Sequence, residues 1–130
     1  MHRSIFLWSA ISGILAVAIG AFGSHALRKY LPPEDIAIYK TGVEYHFYHT
    51  LALLGTGILY KHYHKPLLAL AALAFGVGII FFPFSLYLLT ITKISSGGEE
   101  KWLGAVTPFG GICFILGWLF LAIHFFQKNK

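Results

Sequence analysis

The chain is short of charge, and of acid above all. Five of its 130 residues are Asp or Glu and ten are Lys or Arg, so charged residues make up 12% of the whole while 57% are hydrophobic. A soluble domain of this length needs a polar surface to cover its core, and so few charged side chains cannot supply one. The single cysteine, Cys113, excludes an internal disulfide and reads as filler within an apolar run. No basic run is interleaved with aromatics in a polar setting, which leaves nucleic-acid binding without support. No paired carboxylates, serine–histidine–acid set or phosphate-cradling glycine loop stands in a suitable context, so the expectation is a protein that is not an enzyme. Strict apolar–polar alternation is also missing. That argues against strands, whose open edges lipid could not satisfy.

What is present is long apolar sequence, with a mean hydropathy of +0.70. Four stretches, about 4–24, 42–60, 66–91 and 108–126, each approach the ~20 residues a helix needs to cross a bilayer. The expected fold is all-α, an integral membrane four-helix bundle forming a single transmembrane domain over residues 1–130. The first stretch exceeds the ~7–15 apolar residues of a secretory signal and is expected to be retained. Pro32, Pro33, Glu34 and Asp35 suggest the start of a short interfacial helix over 33–39. Thr41-Gly42-Val43-Glu44 fits a capping box that would open the second crossing at 42, with Glu44 as the reciprocal cap. Thr107-Pro108 reads as a cap followed by a first-turn proline, and 95–101 reads as a loop. Pro83, inside the third stretch, predicts a kink that frees a carbonyl near Ile79.

Two further patterns concern packing and orientation. Ser9, Gly13, Ala16, Gly20 and Gly23 recur at spacings of four, three, four and three, a seam of small residues where another backbone can approach. A neighbouring helix of the same chain is the favoured occupant, and a second copy in a homo-oligomer is the alternative. With four crossings, Arg3, Lys61, Lys65, Lys128 and Lys130 fall on one side. Arg28, Lys29, Lys40, Lys93 and Lys101 fall on the other, with all five acids. The Lys/Arg count ties, and the leading Arg3 tips the expectation toward cytoplasmic termini.

The stretch VEYHFYH, residues 43–49, places polar groups at the head of an apolar run. On these boundaries His49 lies only about 10 Å past the start of its helix. His25 at the end of the first helix, Tyr45, His46 and His49 on the second, Ser85 and Tyr87 on the third and Thr107 on the fourth would then share one half of the bilayer, beneath one leaflet. The structural reading is that the imidazoles hydrogen-bond neighbours and lock helices together. The cluster could instead hold a lipid headgroup or a quinone ring, with the imidazoles and Tyr45 as hydrogen-bond donors. The cofactor alternatives are haem held between His25 and His49, or a transition metal at His25, His46 and His49. His2, His62, His64 and His124 read as interfacial residues.

Five motifs in order carry a family resemblance. They are Gly20-Ala21-Phe22-Gly23-Ser24-His25, Thr41-Gly42-Val43-Glu44-Tyr45 with His49-Thr50-Leu51-Ala52, Ser85-Leu86-Tyr87, Thr107-Pro108-Phe109-Gly110-Gly111 and Gly117-Trp118. Together, over almost the whole chain, they resemble the family catalogued as domain of unknown function 423. The resemblance implies a small bacterial inner-membrane protein of about four helices, with mitochondrial relatives and no established activity. It singles out His25, Glu44, Tyr45, His49, Ser85, Tyr87 and the turn from Thr107 to Gly111. His46 departs from the pattern, which carries an amide or another residue there, and Pro83-Phe84 replaces a usual Ser-Gly pair. The expectation is a structural or interaction protein without a resident cofactor, whose partners are membrane lipid, other membrane proteins or a second copy; a haem- or metal-binding module using His25 and His49 is the alternative, and a small transporter or channel ranks third.

Overall fold

The computed structural model describes residues 1–98 and 100–127. Glu99, Lys128 and Lys130, which entered the loop and orientation readings above, lie outside the described residues. Helices α1 (His2–Ala18) and α2 (Ser24–Leu27) are joined through a π-helical turn, Ile19–Gly23, into one rod. Three long helices follow: α3 (Pro33–Tyr63), α4 (Pro66–Ser96) and α5 (Lys101–Gln127). Three of the four rods, His2–Leu27, Pro66–Ser96 and Lys101–Gln127, are long and apolar enough to cross a membrane. This is an all-helical bundle of a membrane protein.

The largest departure from the sequence reading lies in α3. The expected interfacial helix 33–39 and crossing 42–60 are one continuous rod of 31 residues. Proline at the first turn, with Glu34 and Asp35 beside it, starts the helix at Pro33. The capping box does not form, because Thr41 lies inside the helix and its Oγ1 donates back to the Ala37 carbonyl at 3.0 Å. Gly42 is not a break either. A Cβ at that position would lie 2.9 Å from Cε1 of Tyr87, so the glycine lets the α4 tyrosine lie against the α3 backbone.

The other boundaries move for similar reasons. α4 runs on to Ser96 and stops where Gly97 adopts φ 67° as its C-cap. α5 begins at Lys101, so Pro108 lies within the helix rather than in its first turn. Thr107 does not cap; its Oγ1 donates to the Leu103 carbonyl at 3.2 Å.

α3 and α4 form the centre of the bundle. α1 packs along α3, and α5 packs along α4 over the largest contact in the molecule. The seam of small residues on the first rod faces α3: Gly13 lies against Thr50 and Gly20 against Val43. Gly110 permits the closest approach of α4 and α5, since a Cβ there would fall onto the backbone nitrogen of Phe82. The apolar core, Ile5, Leu53, Ala71, Ala72, Phe75, Ile79 and Phe114, occupies the half of the bundle nearer the end of α3. Of the buried polar groups, Ser12, His46, His49, Thr50, Ser85 and Thr90 lie at mid-length or toward the start of α3, while Ser9, Thr56 and His124 lie nearer its end.

Candidate functional site

His46 is fully buried at the centre of the polar set. Its Nε2 lies 3.0 Å from the Ser12 hydroxyl on α1, and its Nδ1 lies 3.1 Å from the Tyr87 hydroxyl on α4. Ser12 also meets the Thr50 hydroxyl at 2.6 Å, and Thr50 donates to the His46 carbonyl at 2.8 Å. Counting protons fixes the direction of each bond. Thr50 has one hydroxyl proton and gives it to the carbonyl, so Ser12 must donate to Thr50. Ser12 then has no proton for His46, so Nε2–H donates to Ser12 and Nδ1 accepts from Tyr87. The result is a neutral Nε2–H imidazole in a closed chain that ties α1, α3 and α4 together.

His49 has the opposite arrangement. Its Nδ1 lies 2.8 Å from the Tyr45 carbonyl, which can only accept, so Nδ1 carries the proton. Nε2 accepts from the Trp118 indole N–H at 3.3 Å. The ring lies flat against Phe114, with centroids 3.5 Å apart and planes 8° apart. His49 therefore joins α3 to α5. Each ring nitrogen of these two buried histidines already has a partner within the protein.

The expected site residues separate into groups. Ser85 and Thr107 pair across α4 and α5 at 2.7 Å, and Tyr87 joins the His46 chain. Tyr45 supplies the carbonyl for His49 while its ring stacks on Phe82. Glu44 is exposed and belongs to neither network. His25 is exposed on α2 and does not meet His49. Gly23 packs against Tyr39, which fixes the antiparallel register. At 1.5 Å per residue, His25 and His49 are then roughly 18 Å apart along the bundle axis. The shared level expected for them fails because α3 starts at Pro33. His49 is about 24 Å along its helix at that rise, near its middle, rather than beneath the headgroups. Among the described residues no three His, Cys, Asp or Glu side chains form a group able to hold a metal ion, and His25 lies apart from His46 and His49. His124, expected at the interface, is buried beside Tyr63 on the inward stripe of α5.

Thr50 and Trp118 stand in the family motifs of the sequence without an assigned partner, and Ser12 stands in none. Ser12 could have been picked out, because Ile5, Ser9, Ser12 and Ala16 recur at helical spacing and a hydroxyl inside an apolar crossing tends to face a partner. Tyr39 also emerges only here. Its hydroxyl donates to the Ile19 carbonyl at 2.6 Å, where the first rod turns π-helical.

Comparison with known proteins gives this arrangement its family. Residues 19–111 match the model described as Protein of unknown function (DUF423). The chain belongs to the DUF423 family. It is 38% identical over 122 residues to the UPF0382 membrane protein YwdK of Bacillus subtilis, covering 93% of this chain and 94% of the relative. It is 37% identical to the UPF0382 membrane protein SSP2132 of Staphylococcus saprophyticus, covering 96% and 98%. The UPF0382 inner membrane protein YgdD of Escherichia coli is 32% identical, covering 93% of this chain and 88% of its own. No solved structure matches. The DUF423 match takes in the π-helical turn, His46, His49, Tyr87 and the Ser85–Thr107 pair, while Ser12 and Trp118 fall outside it. An apolar cleft of about 540 Å³ opens beside the His46 chain between α1, α4 and α5, with Trp8, Phe81, Phe84 and Trp102 among its walls.

Proposed function

We propose that this DUF423 protein crosses the bacterial inner membrane four times and works by association rather than by chemistry. On this reading α3 is the fourth crossing. Its 31 residues match α4 in length, and its polar side chains His46, His49 and Thr50 turn inward. The polar set holds the four rods in one arrangement, the outer faces meet lipid and other membrane components, and both termini lie in the cytoplasm. The observation that carries the reading is the closed hydrogen-bond chain. His46 and His49 have no ring nitrogen left over to serve as a ligand or a general base.

The test is to make Ser12→Ala and His46→Leu in the full chain. Each is then measured for thermal stability in detergent and for recovery of co-purifying proteins and lipids from membranes. A loss of stability in both, with partner recovery falling only as the fold is lost, is the expected result. A variant that folds as the parent does and loses one bound component would contradict it. So would a visible absorption band or a stoichiometric metal in the purified parent.

A further inference from the structure

The buried face of α3 is marked by His46, His49 and Leu53. At ~100° per residue, Glu44 points almost directly away from it. Tyr48, Leu51, Gly55 and Ile58 continue that outward line at spacings of four, three, four and three, which is the seam spacing of packed helix pairs. Tyr48 is 57% exposed and Leu51 53%. A Cβ placed on Gly55 would meet nothing within 4 Å, so the stripe is open to close approach.

Depth makes this stripe costly to leave bare. Glu44 adjoins Tyr45, whose ring stacks on Phe82 near the middle of α4 at 4.7 Å. With α3 crossing the bilayer, the carboxylate faces outward at the level of the acyl chains, where an unpaired acid is costly to insert. Among the described residues Glu44 has neither an ion pair nor a side-chain hydrogen bond. Lys40, exposed one turn earlier on the same side, has no ion pair either. Lipid tails or an apolar helix would leave both charges unmatched. A fitting partner brings a cation and an anion at this depth, one turn apart.

The stripe itself has that composition, and we infer that it is an interface between two copies of this chain. The inference rests on α3 crossing the bilayer, as proposed above. Two copies inserted in the same orientation are related by an axis along the membrane normal, so equal levels meet. Lys40 and Glu44 differ by about 6 Å in height. Each Lys40 can therefore reach across to the other copy's Glu44, giving two reciprocal ion pairs with Tyr48 hydroxyls beside them. Leu51, Gly55 and Ile58 continue the contact as an apolar seam.

The test uses the full chain in native membranes with Cys113→Ser. Under mild oxidation Leu51→Cys is expected to form a cross-linked dimer, while Leu119→Cys on the exposed face of α5 stays monomeric. On the Leu51→Cys background, Lys40→Glu or Glu44→Lys alone is expected to reduce the dimer by roughly tenfold. Mixing the two single variants under different tags is expected to restore it as mixed dimers. A Lys40–Glu44 pair within one helix would be repaired in the double variant but not by mixing, so failure of the mixture overturns the inference. Absence of the Leu51→Cys dimer overturns it too. Cross-linking to a different protein instead would also overturn it, while leaving the association reading intact.

Discussion

His46 and His49 stand three residues apart on one helix, yet their partners place the proton on different nitrogens. A carbonyl facing His49 Nδ1 demands a donor, while the Thr50 and Ser12 hydroxyls leave His46 Nε2 as the donor on its side. In bilayer samples, nitrogen NMR is expected to show one Nε2–H and one Nδ1–H neutral ring for these two residues. Two rings of the same tautomer would break the proton count. The energetic consequence follows from the same bonds. Removing the His46 ring strands the Tyr87 hydroxyl and takes one of two partners from Ser12, which keeps Thr50; a buried group without a partner costs about 1–3 kcal/mol, although hydrogen bonds between membrane helices average nearer ~0.6. His46→Leu is thus expected to lower the melting temperature clearly, and His46→Gln by less, since an amide still offers a donor and an acceptor. Equal losses would show that volume, rather than hydrogen bonding, matters at this position. The amide that the family resemblance implies at position 46 fits the same chemistry.

At the scale of the element, the four rods were legible from the apolar runs, but the extent of α3 was not. Lys40, Thr41 and Gly42 look like a break to local rules, because a polar triplet with glycine suits a cap. They remain helical because Tyr39 bonds the Ile19 carbonyl, Gly42 receives Tyr87, and Asp35 pairs with Lys93 on α4. These are contacts between distant parts of the chain that no window of sequence contains. A helix starting at 42 would put His25 and His49 at one level, and the start at Pro33 carries His49 to mid-length. The new boundary has a direct check. Losing a real N-cap costs about 1 kcal/mol, whereas Thr41→Ala inside a helix is expected to cost less than about 0.5. A full-size loss would restore the cap at position 41. Packing of α4 on α5 is equally testable. Gly110→Val drives a side chain into the Phe82 backbone and is expected to abolish the folded bundle in detergent. Gly111→Ala, whose Cβ would lie an ordinary 3.8 Å from Phe82, is expected to be tolerated. A folded Gly110→Val protein would mean that the two helices can part.

For the whole molecule, composition alone placed the chain in a membrane, and the comparisons with relatives agree with that address. The division of labour inside the bundle was less visible. One half is held by Phe75, Leu53 and Phe114, and the other by hydroxyls and imidazoles whose partners lie 22 to 69 residues away in sequence. Ser85 and Thr107 could be listed in advance, but nothing in either segment said that they would touch. α3 is also the rod least suited to lipid by composition, and both its inward polar face and its outward charged stripe acquire meaning only if it spans the bilayer. The measurement that bears most directly on this uses single cysteines at Glu34 and His62 in a Cys113→Ser background, labelled with a membrane-impermeant maleimide in sealed vesicles of known orientation. Labelling of the two positions from opposite sides, with Leu51→Cys protected from both, is the expected result. Labelling of both from the same side would mean that α3 does not cross, and the four-crossing bundle would fall with it.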